Sequence, residues 1–106
     1  MEQEKLQEMQ FLEQNLQNLL MQKQAFQMEL SETESALSEV EKAGEDVYKV
    51  MGQLMIKSDK SKVKEELENK KKILDTRLKA INNQEETLSK RVEEIREELM
   101  KKVNKK

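Results

Sequence analysis

Val47-Tyr48-Lys49-Val50-Met51-Gly52-Gln53-Leu54-Met55-Ile56-Lys57 is the one stretch of this chain in which β-branched and aromatic residues cluster, and its reading decides the fold. Such residues on either side of a glycine read as two short strands joined at Gly52. Two turns fit. Gly52-Gln53 suits a two-residue II′ turn, whereas a three-residue Met51-Gly52-Gln53 loop gathers Tyr48, Val50, Leu54 and Ile56 on one face. The three-residue loop is the preferred reading. Ser58-Asp59 follows with the side-chain oxygens that start a helix.

Outward from this hairpin, both flanks carry heptad stripes. Stepping by three and four from Met9 visits Leu12, Leu16, Leu19, Lys23, Phe26, Leu30, Thr33, Leu37, Val40, Gly44 and Val47, and nine of these twelve positions are apolar. Stepping by four and three from Leu67 visits Lys71, Leu74, Leu78, Ile81, Glu85, Leu88, Val92, Ile95, Leu99 and Lys102, and eight of these eleven are apolar. Stripes this narrow, with charges and glutamines elsewhere, are coiled-coil seams. The seams mirror each other: Met9 matches Leu99, Leu12 matches Ile95, Leu30 matches Leu78 and Val40 matches Leu67, each pair of numbers adding to 107 or 108. That symmetry predicts an antiparallel coiled coil within one chain. It also sets Lys23 opposite Glu85, so the two charged interruptions form a register pair, and it sets Lys5 opposite Lys102, which splays the tips.

The expected fold is therefore dominated by α-helix: a long antiparallel two-helix coiled coil with a central β-hairpin. One domain, 1–106, divides into a helix over 1–44, a hairpin over 47–57 and a helix over 59–106. Arms of this length reach about 60 Å at 1.5 Å per residue. Two strands alone are not independently stable, and their open edges are templates for further pairing. The chain thus reads as one protomer of an assembly, joined through Val47, Tyr48, Val50, Leu54, Met55 and Ile56.

Composition agrees and excludes much else. In 106 residues, 40% are charged and 3% aromatic, with two glycines and no proline, which is too little bulk and too few turns for a layered globular core. There is no His and no Cys, so the usual metal ligands, thiol nucleophiles and near-neutral acid–base groups are missing. No phosphate loop or nucleophile elbow occurs, no cofactor is expected, and the chain is read as no enzyme. Glu93-Glu94 and Glu97-Glu98 read as a solvated helix face. Residues 1–53 carry 4 basic and 11 acidic side chains and residues 54–106 carry 16 and 11, so the halves attract each other. Lys70-Lys71-Lys72 faces the acidic arm on this reading. Nucleic acid is not an expected partner, because glutamates interleave the second half's lysines. A membrane is not expected either: no apolar run approaches about 18 residues, and the first arm is acidic with eight glutamines between Gln3 and Gln27. MEQEKLQEMQ lacks the features of a signal peptide, so a cytoplasmic location is expected.

With its motif Val47-Tyr48-Lys49-Val50-Met51-Gly52, Leu54-Met55-Ile56-Lys57 and Asp59-Lys60 set between heptad arms, the chain resembles the prefoldin family in its beta-type, archaeal form, which has one hairpin where the alpha type has two. The resemblance implies an ATP-independent chaperone, a hexamer of two alpha and four beta subunits with a β-barrel body and six coiled-coil tentacles. Its partners would be the alpha subunit, other beta copies, non-native polypeptides held at the tips, and a cytosolic group II chaperonin that receives them. Off-seam apolar residues fit client capture: Leu6, Phe11, Met100 and Val103 near the tips, with Leu20, Met21 and Met28 either exposed for the same purpose or broadening the seam. The resemblance further implies a chaperonin contact for the basic tail Lys101, Lys102, Lys105 and Lys106. The rival reading is a purely structural coiled-coil spacer, which has no use for the central hairpin.

Overall fold

The computed structural model describes the backbone of residues 2–104 and the side chains of residues 2–101. Four elements follow in order: helix α1 (Glu2–Lys42), strand β1 (Asp46–Met51), strand β2 (Leu54–Asp59) and helix α2 (Lys60–Asn104). Neither helix contains glycine or proline, and Glu, Gln, Lys, Leu and Met supply high helix propensity throughout. Glu2 and Glu4 in the first turn of α1 and Lys42 in its last complement the helix dipole. No helix among the described residues is long and apolar enough to cross a membrane.

The junctions are defined by side chains. As α1 ends, the Lys60 ammonium donates to the carbonyl oxygens of Ala43 at 2.8 Å and Glu41 at 3.4 Å, which satisfies acceptors that a helix end leaves open. The Asp59 carboxylate accepts from the backbone N–H of Ser61 at 3.1 Å and from its hydroxyl at 3.0 Å, and so caps α2. Asp59 alone does the capping. The Ser58 hydroxyl donates instead to the Ile56 carbonyl at 3.2 Å.

The chain divides into two units, one combining Met1–Ala25 with Leu78–Lys106 and the other formed by Phe26–Arg77. In the first unit, Leu12, Val92 and Ile95 are buried, with Met9, Leu16, Leu88 and Leu99 packed against them. All seven are seam positions. Ile95 is wholly enclosed, a burial that contributes about 1.5–3 kcal/mol. In the second unit, Val40, Val47 and Val63 form a small core with Ala43 and Leu67 where the helices meet the hairpin. Seam Thr33 is buried without penalty, because its hydroxyl donates to the Glu29 carbonyl at 2.7 Å.

Ion pairs flank both seams. In the first unit, Arg91 Nε lies 2.9 Å from Glu8 Oε1, Lys23 Nζ lies 3.1 Å from Glu85 Oε1, and Lys5 bonds Glu98. The bond to Glu8, and after it the one to Glu94, pushes the Arg91 pKa above its ordinary value. In the second unit, Lys64 meets Glu41 at 3.3 Å, and of the three lysines 70–72 it is Lys71 that reaches an acidic partner, Glu34 at 3.8 Å. Lys5 turns to the carboxylate of Glu98, while the side chain of Lys102, which the register sum sets opposite it, lies outside the described residues. A flexible ammonium swings about a turn to find opposite charge, which a register sum alone does not reveal.

Lys23 and Glu85 sit half-buried within a seam otherwise apolar at its neighbouring levels. A slipped register would set each charge against a leucine, isoleucine or phenylalanine. A double-mutant cycle with Lys23→Met and Glu85→Met, read by urea unfolding, is expected to give a coupling of about 0.5–1 kcal/mol, as for a partly wet pair. Zero coupling would show that the pair does not contribute to the register.

Candidate functional site

The hairpin pairs Met51 with Leu54, Val50 with Met55, Lys49 with Ile56, Tyr48 with Lys57 and Val47 with Ser58. The loop therefore has two residues, Gly52 and Gln53, and the three-residue loop preferred from sequence is not formed. Gly52 stands at φ +62°, the left-handed conformation that the first position of a II′ turn requires and that glycine adopts without strain. A two-residue turn matches the right-handed twist of the strands, so the backbone selects it over a loop chosen for side-chain grouping.

This register redistributes the side chains. Directly paired residues share a face. Tyr48, Val50 and Met55 lie on one side, while Met51, Leu54 and Ile56 lie on the other with Val47 and Lys49. The second side turns toward the helices at its base, where Val47 is buried and Lys49 bonds Glu66. On the first side Asp46 and Lys57 pair at 3.3 Å. The expected group of Tyr48, Val50, Leu54 and Ile56 on one face is thus split in two, because shortening the loop by one residue shifts one strand's alternation against the other's.

Beyond Lys49 and Lys57 both faces are apolar and open. Val50 is 71% exposed, Met55 70%, Leu54 66% and Ile56 44%, and Met51 and Tyr48 are also exposed. Val47, counted with these residues from sequence, is only 8% exposed and packs inside its own protomer. Met51, by contrast, is 62% exposed. Its signal was the two-residue turn, which makes it the partner of Leu54.

The backbone edges are open as well. In a hairpin closed by two residues the flanking pair exchanges both hydrogen bonds, and bonded pairs then alternate with non-bonded ones. Met51–Leu54 and Lys49–Ile56 are accordingly bonded pairs, and Val50–Met55 and Tyr48–Lys57 are not. The N–H and C=O groups of Tyr48, Val50, Met55 and Lys57 point away from the hairpin, and the sheet has two strands only among the described residues.

Of the other sequence-derived candidates, Leu6, Phe11 and Met100 are exposed in the first unit, and Lys101 is exposed beside Met100. The side chains of Lys102 and Val103, together with Lys105 and Lys106, lie outside the described residues. Leu20, Met21 and Met28 are exposed, so they do not broaden the seam. Ile73, overlooked in the sequence, is exposed too; in the same unit Arg77 lies 5.7 Å from the centre of the Phe26 ring. The carboxylates of Glu93 and Glu94 are engaged by Arg96 at 3.0 Å and Arg91 at 3.2 Å. Among the described residues no group of acidic side chains is placed to hold a metal ion.

This architecture has known counterparts. Residues 3–106 match a family model described as prefoldin subunit. The fold is similar to the crystal structure of the prefoldin beta subunit from Thermococcus strain KS-1, with a TM-score of 0.87 and 34% identity over 94% of this chain and 90% of that one. A sequence comparison with curated proteins finds no match. Two long helices joined by one antiparallel hairpin, matched over nearly the whole length by both family and structure, make the chain a member of the prefoldin family with the fold of an archaeal beta subunit.

Proposed function

We propose that the chain is a subunit of an ATP-independent chaperone, assembled through its hairpin with other prefoldin subunits as two alpha and four beta copies. It captures non-native polypeptides at its helix ends and passes them to a cytosolic chaperonin. The observation that carries this reading is the hairpin: two open backbone edges beside apolar side chains exposed on both faces. In water such a surface is a liability. Strand pairing with neighbouring hairpins satisfies the edges and buries the side chains in one step, which is the expected β-barrel body. A plain spacer would have no use for either feature.

Family membership supports the chaperone role, since prefoldin is a chaperone family and not an enzyme family. Capture without nucleotide chemistry requires reversible burial of apolar surface, and several weak contacts from several subunits give avidity that one contact lacks. Leu6, Phe11, Met100 and Val103 are the proposed capture residues. Lys101, Lys102, Lys105 and Lys106 are the proposed chaperonin contact, where exposed positive charge would steer docking to an acidic surface.

Three outcomes are expected. Val50→Pro removes an outward N–H while sparing the hairpin's own ladder, so light scattering should report a smaller species with the helical circular dichroism retained. An unchanged mass would rule out assembly through this edge. Leu6→Ser with Phe11→Ser and Val103→Ser should abolish suppression of client aggregation in a turbidity assay yet leave the oligomer intact. Full protection by that variant would move capture away from these residues. Replacing the four lysines by glutamine should weaken chaperonin binding, and the difference from the parent should shrink as salt rises. Equal affinities at low salt would remove the basic tail from docking.

A further inference from the structure

In the first unit an open groove of about 570 Å³ lies between α1 and α2, lined by Asn15, Asn18, Gln22, Asn83, Gln84 and Thr87 above Leu19 and Leu88. We propose that this groove binds the backbone of an extended, uncharged polypeptide segment, an inference that rests on the chaperone reading and gives it a second contact with the client.

The lining is unusual for this chain. Although 40% of its residues are charged, the groove has none. Positions flanking a coiled-coil seam ordinarily hold ion pairs, and here Glu8 and Arg91 bridge the helices at 2.9 Å. One heptad nearer the hairpin on each helix, the equivalent positions are Asn15 and Gln84. Two neutral amides stand where the neighbouring heptad has an ion pair.

Those amides are also uncommitted. None of the five carboxamides has a hydrogen-bond partner among the described residues, while the Thr87 hydroxyl donates to the backbone carbonyl of Asn83 at 3.0 Å and keeps its acceptor capacity. A carboxamide is the functional group of the peptide bond itself, offering an acceptor oxygen and two N–H donors. Five of them in one groove can exchange hydrogen bonds with successive N–H and C=O groups of an extended chain without reading its side chains. A charged lining would favour clients of opposite charge; a neutral one does not discriminate. Half-buried Leu19 and Leu88 form an apolar floor on which a side chain of the segment packs. The groove falls within the roughly 300–1,000 Å³ of ligand clefts, but it is open, so each contact is weak and gains strength from repetition across subunits.

The test uses the full chain in its assembled form and a capped, neutral, dye-labelled peptide of alternating Ser and Leu, about eight residues long and extended at roughly 3.3 Å per residue. Fluorescence anisotropy should show saturable binding, and the same peptide with N-methylated backbone amides should bind about tenfold more weakly, having lost its donors. Asn15→Leu with Gln84→Leu supplies the decisive contrast. It removes two carboxamides, keeps helix propensity and enlarges the apolar surface, so backbone recognition predicts about fivefold weaker binding whereas simple hydrophobic contact predicts tighter binding. Absence of saturable binding, equal affinity for the N-methylated peptide, or tighter binding by the leucine variant would each overturn the proposal. Aggregation suppression measured in parallel separates the two readings. A parent that protects clients but fails the peptide assay loses only the groove, and one that passes the peptide assay without protecting clients loses only the chaperone role.

Discussion

A two-stranded antiparallel sheet pairs the half of its backbone groups that point between the strands and leaves the outward-pointing half to solvent or to another chain. In this protein that constraint falls on Tyr48, Val50, Met55 and Lys57, whose N–H and C=O groups face away from the hairpin. The side chains around them are apolar on both faces. A hairpin of this kind is marginal by itself. It is held at its base by Val47, which is locked among Val40, Val63, Ala43 and Leu67, and by Lys49 through its bond to Glu66. Anchored at one end and open at the other, the hairpin is suited to strand pairing between subunits.

The helices follow a different economy. Their seams bury few large side chains at any level, and the strongest local cluster joins Leu12, Val92 and Ile95. Polar interruptions are handled one by one: Thr33 bonds its own helix backbone, and Lys23 and Glu85 meet each other. Each solution avoids an unsatisfied buried group, which costs more than a satisfied one contributes. The exposed faces carry charge, glutamine and scattered apolar residues such as Phe11 and Met21, and beside Leu19 and Leu88 they carry Asn and Gln without charge.

Much of this was legible in the sequence. Heptad spacing gave the helices, mirror symmetry about the hairpin gave antiparallel pairing, and the levels of Lys23 and Glu85 followed from that symmetry. These features repeat over many residues, so a single misreading cannot displace them. The hairpin's existence was legible for a similar reason, since Val, Tyr and Ile around glycine have no place in the arms. Of the surface candidates, Leu6, Phe11 and Met100 were visible as apolar residues off the stripe, and they are exposed.

The sequence by itself thus determined the element types, their order and the direction of helix pairing, because periodic patterns encode which face is apolar. Tertiary structure alone decided the strand register, since a loop of two or three residues suits the same local sequence and the choice rests on backbone twist and on Gly52 at φ +62°. It decided that Val47 is enclosed and Met51 exposed, because burial depends on what the helices place over the hairpin's base. It decided that Lys5 bonds Glu98, because a long flexible side chain answers to the nearest opposite charge in space and not to its formal heptad level. The carboxamide groove arises in the same way: Asn15 and Gln84 are distant in sequence and unremarkable apart, and only the packing of α1 against α2 brings them to one lining.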